Sequence, residues 1–211
     1  MEAVCNLNGI ETAENNSNLS QHVIIILLVK PSDANSAELI SQFNYYHFAS
    51  RTYCAIYAPG YSIEPFPQNY DSQKTAHVDG NDWYYSDRCF AEFVDQLENR
   101  TKWQYCGEPE ILILQSGTGS HSALNFSNYV SLDIMKGIRE GYIDSPQRMI
   151  QELLNAARTE VEAKSVLAQA KRLSISEIAK AAIESASPIP KPIKEIIKDR
   201  LFYRSATTGC K

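Results

Sequence analysis

His22-Val-Ile-Ile-Ile-Leu-Leu-Val29 runs directly into Lys30-Pro31-Ser32-Asp33. Seven of the eight residues in the first stretch are aliphatic, so it cannot alternate between a dry face and a wet one. A short run of this kind, rich in β-branched residues, reads as a strand buried on both sides. Pro31 then ends it, because proline has no backbone donor for a further ladder bond.

Working outward, Asn35-Ser-Ala-Glu38 has the form of a capping box. Apolar residues then recur at helical spacing, which predicts a helix ending near Ser50. Thr52-Tyr-Cys-Ala-Ile-Tyr57 is made of β-formers and ends at the turn signal Ala58-Pro-Gly60. Strand, helix and strand within this length form a βαβ unit, so the two strands should be parallel. Residues 61–82 read as a long irregular loop. Ser86 is placed to cap a helix over about 87–102, with Phe90, Phe93, Val94 and Leu97 on one face. Trp83 and Trp103 would pack at its two ends.

Glu110-Ile-Leu-Ile-Leu-Gln115 is a second continuous apolar strand. After the loop Ser116-Gly-Thr-Gly-Ser-His121, residues 123–130 alternate and read as a half-exposed strand. Ser131 would cap a short helix closed by Gly141. Ser145-Pro146 opens another helix. Ser174-Ile-Ser-Glu177 opens a further one, and Ile193, Ile196, Ile197 and Leu201 mark a last amphipathic helix beyond the proline-rich 188–192.

The fold class expected is therefore α/β: a small mixed, partly parallel sheet flanked by helices, with a helical C-terminal extension. Residues 1–20, rich in Asn, Ser and Glu, are expected to form a flexible leader. Residues 21–144 form the α/β domain. Residues 145–211 form a helical region with a basic tail.

Charge is unevenly spread along the 211 residues. Residues 1–160 carry 10 Lys and Arg against 20 Asp and Glu, whereas 161–211 carry 10 against 5. The acidic body argues against a phosphate track for nucleic acid. The basic tail is a solvated helical face, a segment that docks on the body, or a contact for an acidic partner. Ser174-Ile-Ser-Glu-Ile-Ala179 resembles the opening of a helix-turn-helix. That resemblance would imply DNA contact, but Ser185–Pro190 carries two prolines where such motifs have a short turn. Nucleic-acid binding is kept as a minor alternative.

No apolar run reaches the length of a membrane span. The segment before His22 has three Glu and no Lys or Arg, unlike a secretory signal. The five cysteines are widely spaced with no Cys-x-x-Cys, which suits reduced thiols and a cytoplasmic protein. No histidine pair has the spacing of a helical metal site, and no cofactor or metal is expected.

Candidate chemistry is sparse. In parallel α/β sheets ligands bind beyond the strand carboxyl ends, which singles out Ser32, Asp33, Tyr61 and Glu64. Asp33 and Glu64 are the candidate catalytic pair, as general acid and base. The plainer reading makes Ser32 and Asp33 helix caps and Glu64 a solvated charge. The glycine loop would offer Ser116, Thr118 and His121 to a ligand, although a hairpin turn explains its glycines better. His47 lies among aromatics and reads as a core-edge residue. Cys54 and Cys89 read as structural thiols.

The aromatic set Tyr45, Tyr46, Phe48, Tyr53, Tyr57, Tyr61, Trp83, Tyr84 and Tyr85 is too dense for one small core. Exposed Tyr and Trp mark partner surfaces, so Tyr61, Trp83 and Tyr84 join the binding candidates. The expected function is a binding or accessory protein that engages another protein, in a homo- or hetero-oligomer. The alternative is an enzyme acting on a small, nucleotide-like ligand through Asp33 and Glu64.

Overall fold

The computed structural model describes residues 1–17, 22–33, 35–50, 53–116, 123–141, 144–157 and the backbone of 203–205. The run quoted above is strand β2, Val23–Leu28, and every one of its residues is buried. It lies in the middle of a six-stranded sheet of order β1-β3-β2-β7-β8-β9. There β1 is Glu2–Val4, β3 Cys54–Pro59, β7 Glu110–Ser116, β8 Leu124–Asp133 and β9 Tyr203–Ser205.

The sheet is mixed, as expected. β2 pairs in parallel with β3, and β3 in parallel with β1. On its other side β2 pairs antiparallel with β7, from Val23 opposite Gln115 to Leu28 opposite Glu110. β7 and β8 are consecutive and antiparallel. Val23–Leu28 and the middle of β7, Ile111 to Leu114, are apolar because both faces of the strands are buried. One helical group is α1 (Leu7–Asn15) against α4 (Asp87–Arg100). The other joins α2 (Ser36–Ser41), α3 (Phe43–Ser50) and α6 (Pro146–Ala157). The short α5 (Ile134–Arg139) lies against β7 and β8.

Several expectations are corrected. The segment expected to be a flexible leader contributes β1 and α1 instead. Asn6 caps α1, its side chain accepting from the Gly9 amide at 2.8 Å. Leu7 and Ile10 are wholly buried, and that burial outweighs the polar composition of the segment. The helix expected up to Ser50 is two, α2 and α3, interrupted at Gln42. Asn35 makes no side-chain cap, and Glu38 instead accepts from the Ser145 hydroxyl. Asp133, not Ser131, caps α5, accepting from the Lys136 amide at 2.7 Å. Ser131 is buried in β8, where its hydroxyl donates to Glu110.

The loop expected over 61–82 contributes to a second, antiparallel sheet of order β4-β6-β5, β4 Tyr61–Ser62, β5 Gln73–Val78, β6 Asn81–Tyr85, with 63–72 irregular as expected. Asp79 and Gly80 turn β5 into β6 with φ of 50° and 80°. Two consecutive positive values make the tight turn that matches strand twist, and Asp-Gly supplies it. The Asn44 side chain holds the turn, accepting from the Asp79 amide at 3.0 Å.

Ser86 caps α4 as expected, accepting from the Cys89 amide. Gly141 has the positive φ of a residue just past a helix end. Trp103 is buried and donates to Glu110 at 2.8 Å. The last amphipathic helix, the helix-turn-helix-like stretch and most of the basic tail lie outside the described residues. Tyr203–Ser205 is a strand on the edge of β8. No helix among the described residues is long and apolar enough to cross a membrane.

Candidate binding site

Gly60 turns the chain from β3 into β4. Its φ is 82°, and a Cβ there would lie 2.8 Å from the Phe90 Cβ. Only glycine lets β4 leave this close to α4. The turn delivers Tyr61 beneath the small sheet, where it is wholly buried. Its ring meets Phe43 at 5.3 Å, Tyr85 at 5.0 Å and Trp83 at 6.2 Å. Its hydroxyl donates to the Val29 carbonyl at 3.1 Å. Burial, with the nearby Asp33 charge, pushes that hydroxyl far above the usual tyrosine range. It therefore acts as a neutral donor and not as a base.

Above Tyr61 and Trp83 opens a cavity of about 330 Å³, between β1, α3, β4 and the Asp79-Gly80 turn. Cys5, His47, Ile63 and Asp79 complete the wall that matters chemically. The volume lies near the lower end for small-ligand pockets, and matches one large side chain or a small molecule. His47 faces the Met1 carbonyl through Nδ1 (2.8 Å) and the Asp79 carboxylate through Nε2 (3.3 Å). Phe48 stands edge-on to this ring at 5.2 Å.

A second cavity, of about 510 Å³, lies on the far side of Met1 and is lined by Glu14, Ser50, Cys54 and Tyr57. Burial pushes the Cys54 thiol up to about 12, which leaves it a poor nucleophile. Glu14 is held by His22 at 2.8 Å and by the Tyr57 hydroxyl, which donates at 2.6 Å.

The structure does not gather the candidate residues into one site. Tyr61 and Trp83 line the smaller cavity, but both are buried, so they form its floor and not an exposed surface. Tyr84 is opposite Lys74 and Ser62 and lines neither cavity. Asp33 is partly buried, 3.6 Å from Lys30, with Oδ2 lacking a hydrogen-bond partner. Burial raises its carboxyl, and Lys30 opposes the rise. Ser32 and Glu64 are exposed. None of these three lines either cavity. Ser116 is buried at the end of β7, where its hydroxyl accepts from the His22 amide at 2.9 Å. That bond joins the end of β7 to the residue before β2. Thr118 and His121 lie outside the described residues.

Cys5, His47 and Asp79 are wall residues that sequence reasoning passed over. The one local signal was Asp79-Gly80, a strong hairpin dipeptide. Among the described residues no group of three His, Cys, Asp or Glu is placed to hold a metal ion. Compared with protein-family models, curated proteins and solved structures, the chain matches none.

Proposed function

We propose that this protein is a binding module that engages another protein, taking an apolar side chain of the partner into the Tyr61–Trp83 cavity. The observation that carries this reading is where the exposed large hydrophobic residues fall. Among the described residues these are Tyr45, Phe48 and Ile63, at 46%, 49% and 59% exposure. Ile63 lines the cavity, Phe48 packs on the His47 that lines it, and Tyr45 is three residues before Phe48 on α3. An aromatic floor with a rim of exposed apolar side chains suits insertion of a partner's anchor residue. A cytoplasmic location belongs to the same reading, since Cys5, Cys54, Cys89 and Cys106 are all unpaired to disulfides.

A second reading is a small-ligand enzyme. It is supported by the His47–Asp79 pair on the cavity wall, a general acid–base arrangement; Asp33 and Glu64 line neither cavity.

The test is native mass analysis of the full chain purified from its own host, beside Ile63→Asp, Phe48→Asp and the distant control Arg88→Ala. A partner protein at fixed stoichiometry with wild type and control, lost with the two rim variants, supports the module. A bound small molecule released by His47→Ala, with no protein at fixed ratio, replaces it with the enzyme reading. A partner kept by both rim variants overturns the proposed surface.

A further inference from the structure

Two cysteines from distant parts of the chain meet behind the cavity. Cys5 is in the turn between β1 and α1. Cys89 is in the first turn of α4, its amide held by the Ser86 cap. The Cys89 sulfur lies 3.5 Å from the Cys5 carbonyl oxygen, and the Cys5 sulfur 3.8 Å from the Tyr61 carbonyl oxygen. The Cys89 thiol thus lies directly against the Cys5 backbone, and neither sulfur is in a disulfide.

Their access differs. Cys5 is half-buried and forms part of the cavity wall, whereas Cys89 is 2% exposed. One thiol can be reached from solvent through the cavity, and the other waits beneath it. Redox-active pairs divide their labour in this way, an accessible attacking thiol beside a resolving one.

We propose that Cys5 and Cys89 form a redox-active dithiol, in which Cys5 attacks a hydroperoxide entering the cavity and Cys89 closes the disulfide. The Cys5 thiolate attacks the terminal peroxide oxygen, the O–O bond breaks, and the departing oxygen leaves as alkoxide, or as hydroxide from hydrogen peroxide, and is protonated. Cys5 is then a sulfenic acid. The Cys89 sulfur attacks the Cys5 sulfur, the S–O bond breaks, and the hydroxide takes up the Cys89 proton. Two thiols and one hydroperoxide thus become one disulfide, one water and the alcohol, or a second water with hydrogen peroxide.

The local electrostatics favour this order. The hydrogen bond from Cys89 holds the Cys5 thiol below its ordinary value, against the opposing effects of burial and Glu92. The same hydrogen bond, then burial and the Cys5 charge, holds Cys89 far above its own. Once Cys5 is a neutral sulfenic acid, its charge no longer opposes ionisation of Cys89. The nucleophile of the second step is released by completion of the first. Cys106 is the natural comparison. It is more exposed, but burial of its sulfur and the hydrogen bond to Glu110 push its thiol up.

The site stands whether or not a protein partner occupies the cavity, so the test uses the full chain alone. Alkylation of the native protein by iodoacetamide at neutral pH, mapped by peptide mass, should label Cys5 about tenfold or more faster than Cys106. Treatment with hydrogen peroxide should give a linked Cys5–Cys89 peptide that dithiothreitol separates. In Cys89→Ser, whose fold circular dichroism checks, Cys5 should accumulate as a sulfenic acid trapped by a 1,3-diketone. Labelling of Cys106 ahead of Cys5 overturns the proposal. So does oxidation of Cys5 in wild type to sulfinic acid without a linked peptide. The alkylation arm needs no variant, so a misfolded Cys89→Ser does not shield the proposal.

Discussion

The Glu14 carboxylate and the His22 imidazole meet at 2.8 Å with side chains only 2% and 6% exposed. Residues from α1 and from the start of β2 thus close on one another in the interior, and Tyr57 of β3 completes the contact. The buried Glu14 carboxyl is tolerated because His22 lies against it and the Tyr57 hydroxyl donates to it. This contact adds a polar tie to the β1–β3 pairing and the buried Leu7 and Ile10 that hold the amino-terminal segment.

Removing one partner strands the other. Glu14→Ala and His22→Ala are each expected to cost about 3–5 kcal/mol, read as a lower urea midpoint at unchanged slope. A double-mutant cycle should show the two losses far from additive. Losses under about 1 kcal/mol would mean that α1 is held by Leu7 and Ile10 alone.

Gly60 and Gly80 share a positive φ but differ in surroundings. A Cβ at Gly60 meets Phe90 at 2.8 Å and Tyr85 at 2.9 Å, whereas at Gly80 nothing lies within 4 Å. Gly80→Ala should cost about 1–2 kcal/mol from backbone strain alone. Gly60→Ala should cost clearly more, because α4 must move as well. Thermal denaturation of the two variants side by side checks the order.

Asp71 fastens the irregular stretch before β5 to the start of α4. Its carboxylate accepts from the Asp87 amide at 2.7 Å, the Ser86 hydroxyl at 2.9 Å and the Arg88 amide at 3.3 Å. Burial acts to raise its carboxyl, but these hydrogen bonds outweigh it and hold the group below its ordinary value. A folded value below the unfolded one stabilises the protein above the unfolded value, and that stability is lost as pH falls through the folded one. Asp71→Ala should therefore cost about 1 kcal/mol near neutrality. The gap to wild type should close as the pH is lowered below about 4. A gap that stays constant through acid would assign the effect to packing.

Glu110 is 1% exposed and accepts from Trp103 (2.8 Å), Ser131 (3.1 Å) and the Cys106 amide (3.2 Å). Glu110→Ala leaves the buried Trp103 and Ser131 donors and the part-buried Cys106 amide facing a void and should cost about 3–5 kcal/mol. Trp103 fluorescence should report the loss directly, as its indole N–H changes partner.

The apolar runs Val23–Leu28 and Glu110–Ser116 could be read as buried strands because strands covered on both faces admit little else. Ser86 and Gly141 were legible as helix ends for equally local reasons. The amino-terminal segment was not, because its many Asn, Ser and Glu masked the helical spacing of Leu7 and Ile10. Cross-chain relationships were invisible. Nothing near Cys5 announces Cys89, and nothing near His47 announces Asp79. The aromatic residues were conspicuous by type, but which of them lie inside depends on the turn at Gly60. Asp33 and Glu64 were paired on the parallel run of β2 beside β3, which the structure shows, but Asp33 lies against Lys30, Glu64 is exposed, and neither lines either cavity.

The placement of β2 between β3 and β7 governs how the molecule is made. A chain growing from its amino terminus can zip β2 onto β3 early, since the helices between them are local. The other edge of β2 has no mate until residue 116 has left the ribosome. Throughout that interval the most apolar segment presents an open edge to its surroundings. Pairing across so long a separation also slows folding. Synthesis rate and chaperone occupancy, more than final stability, then set the yield of native protein.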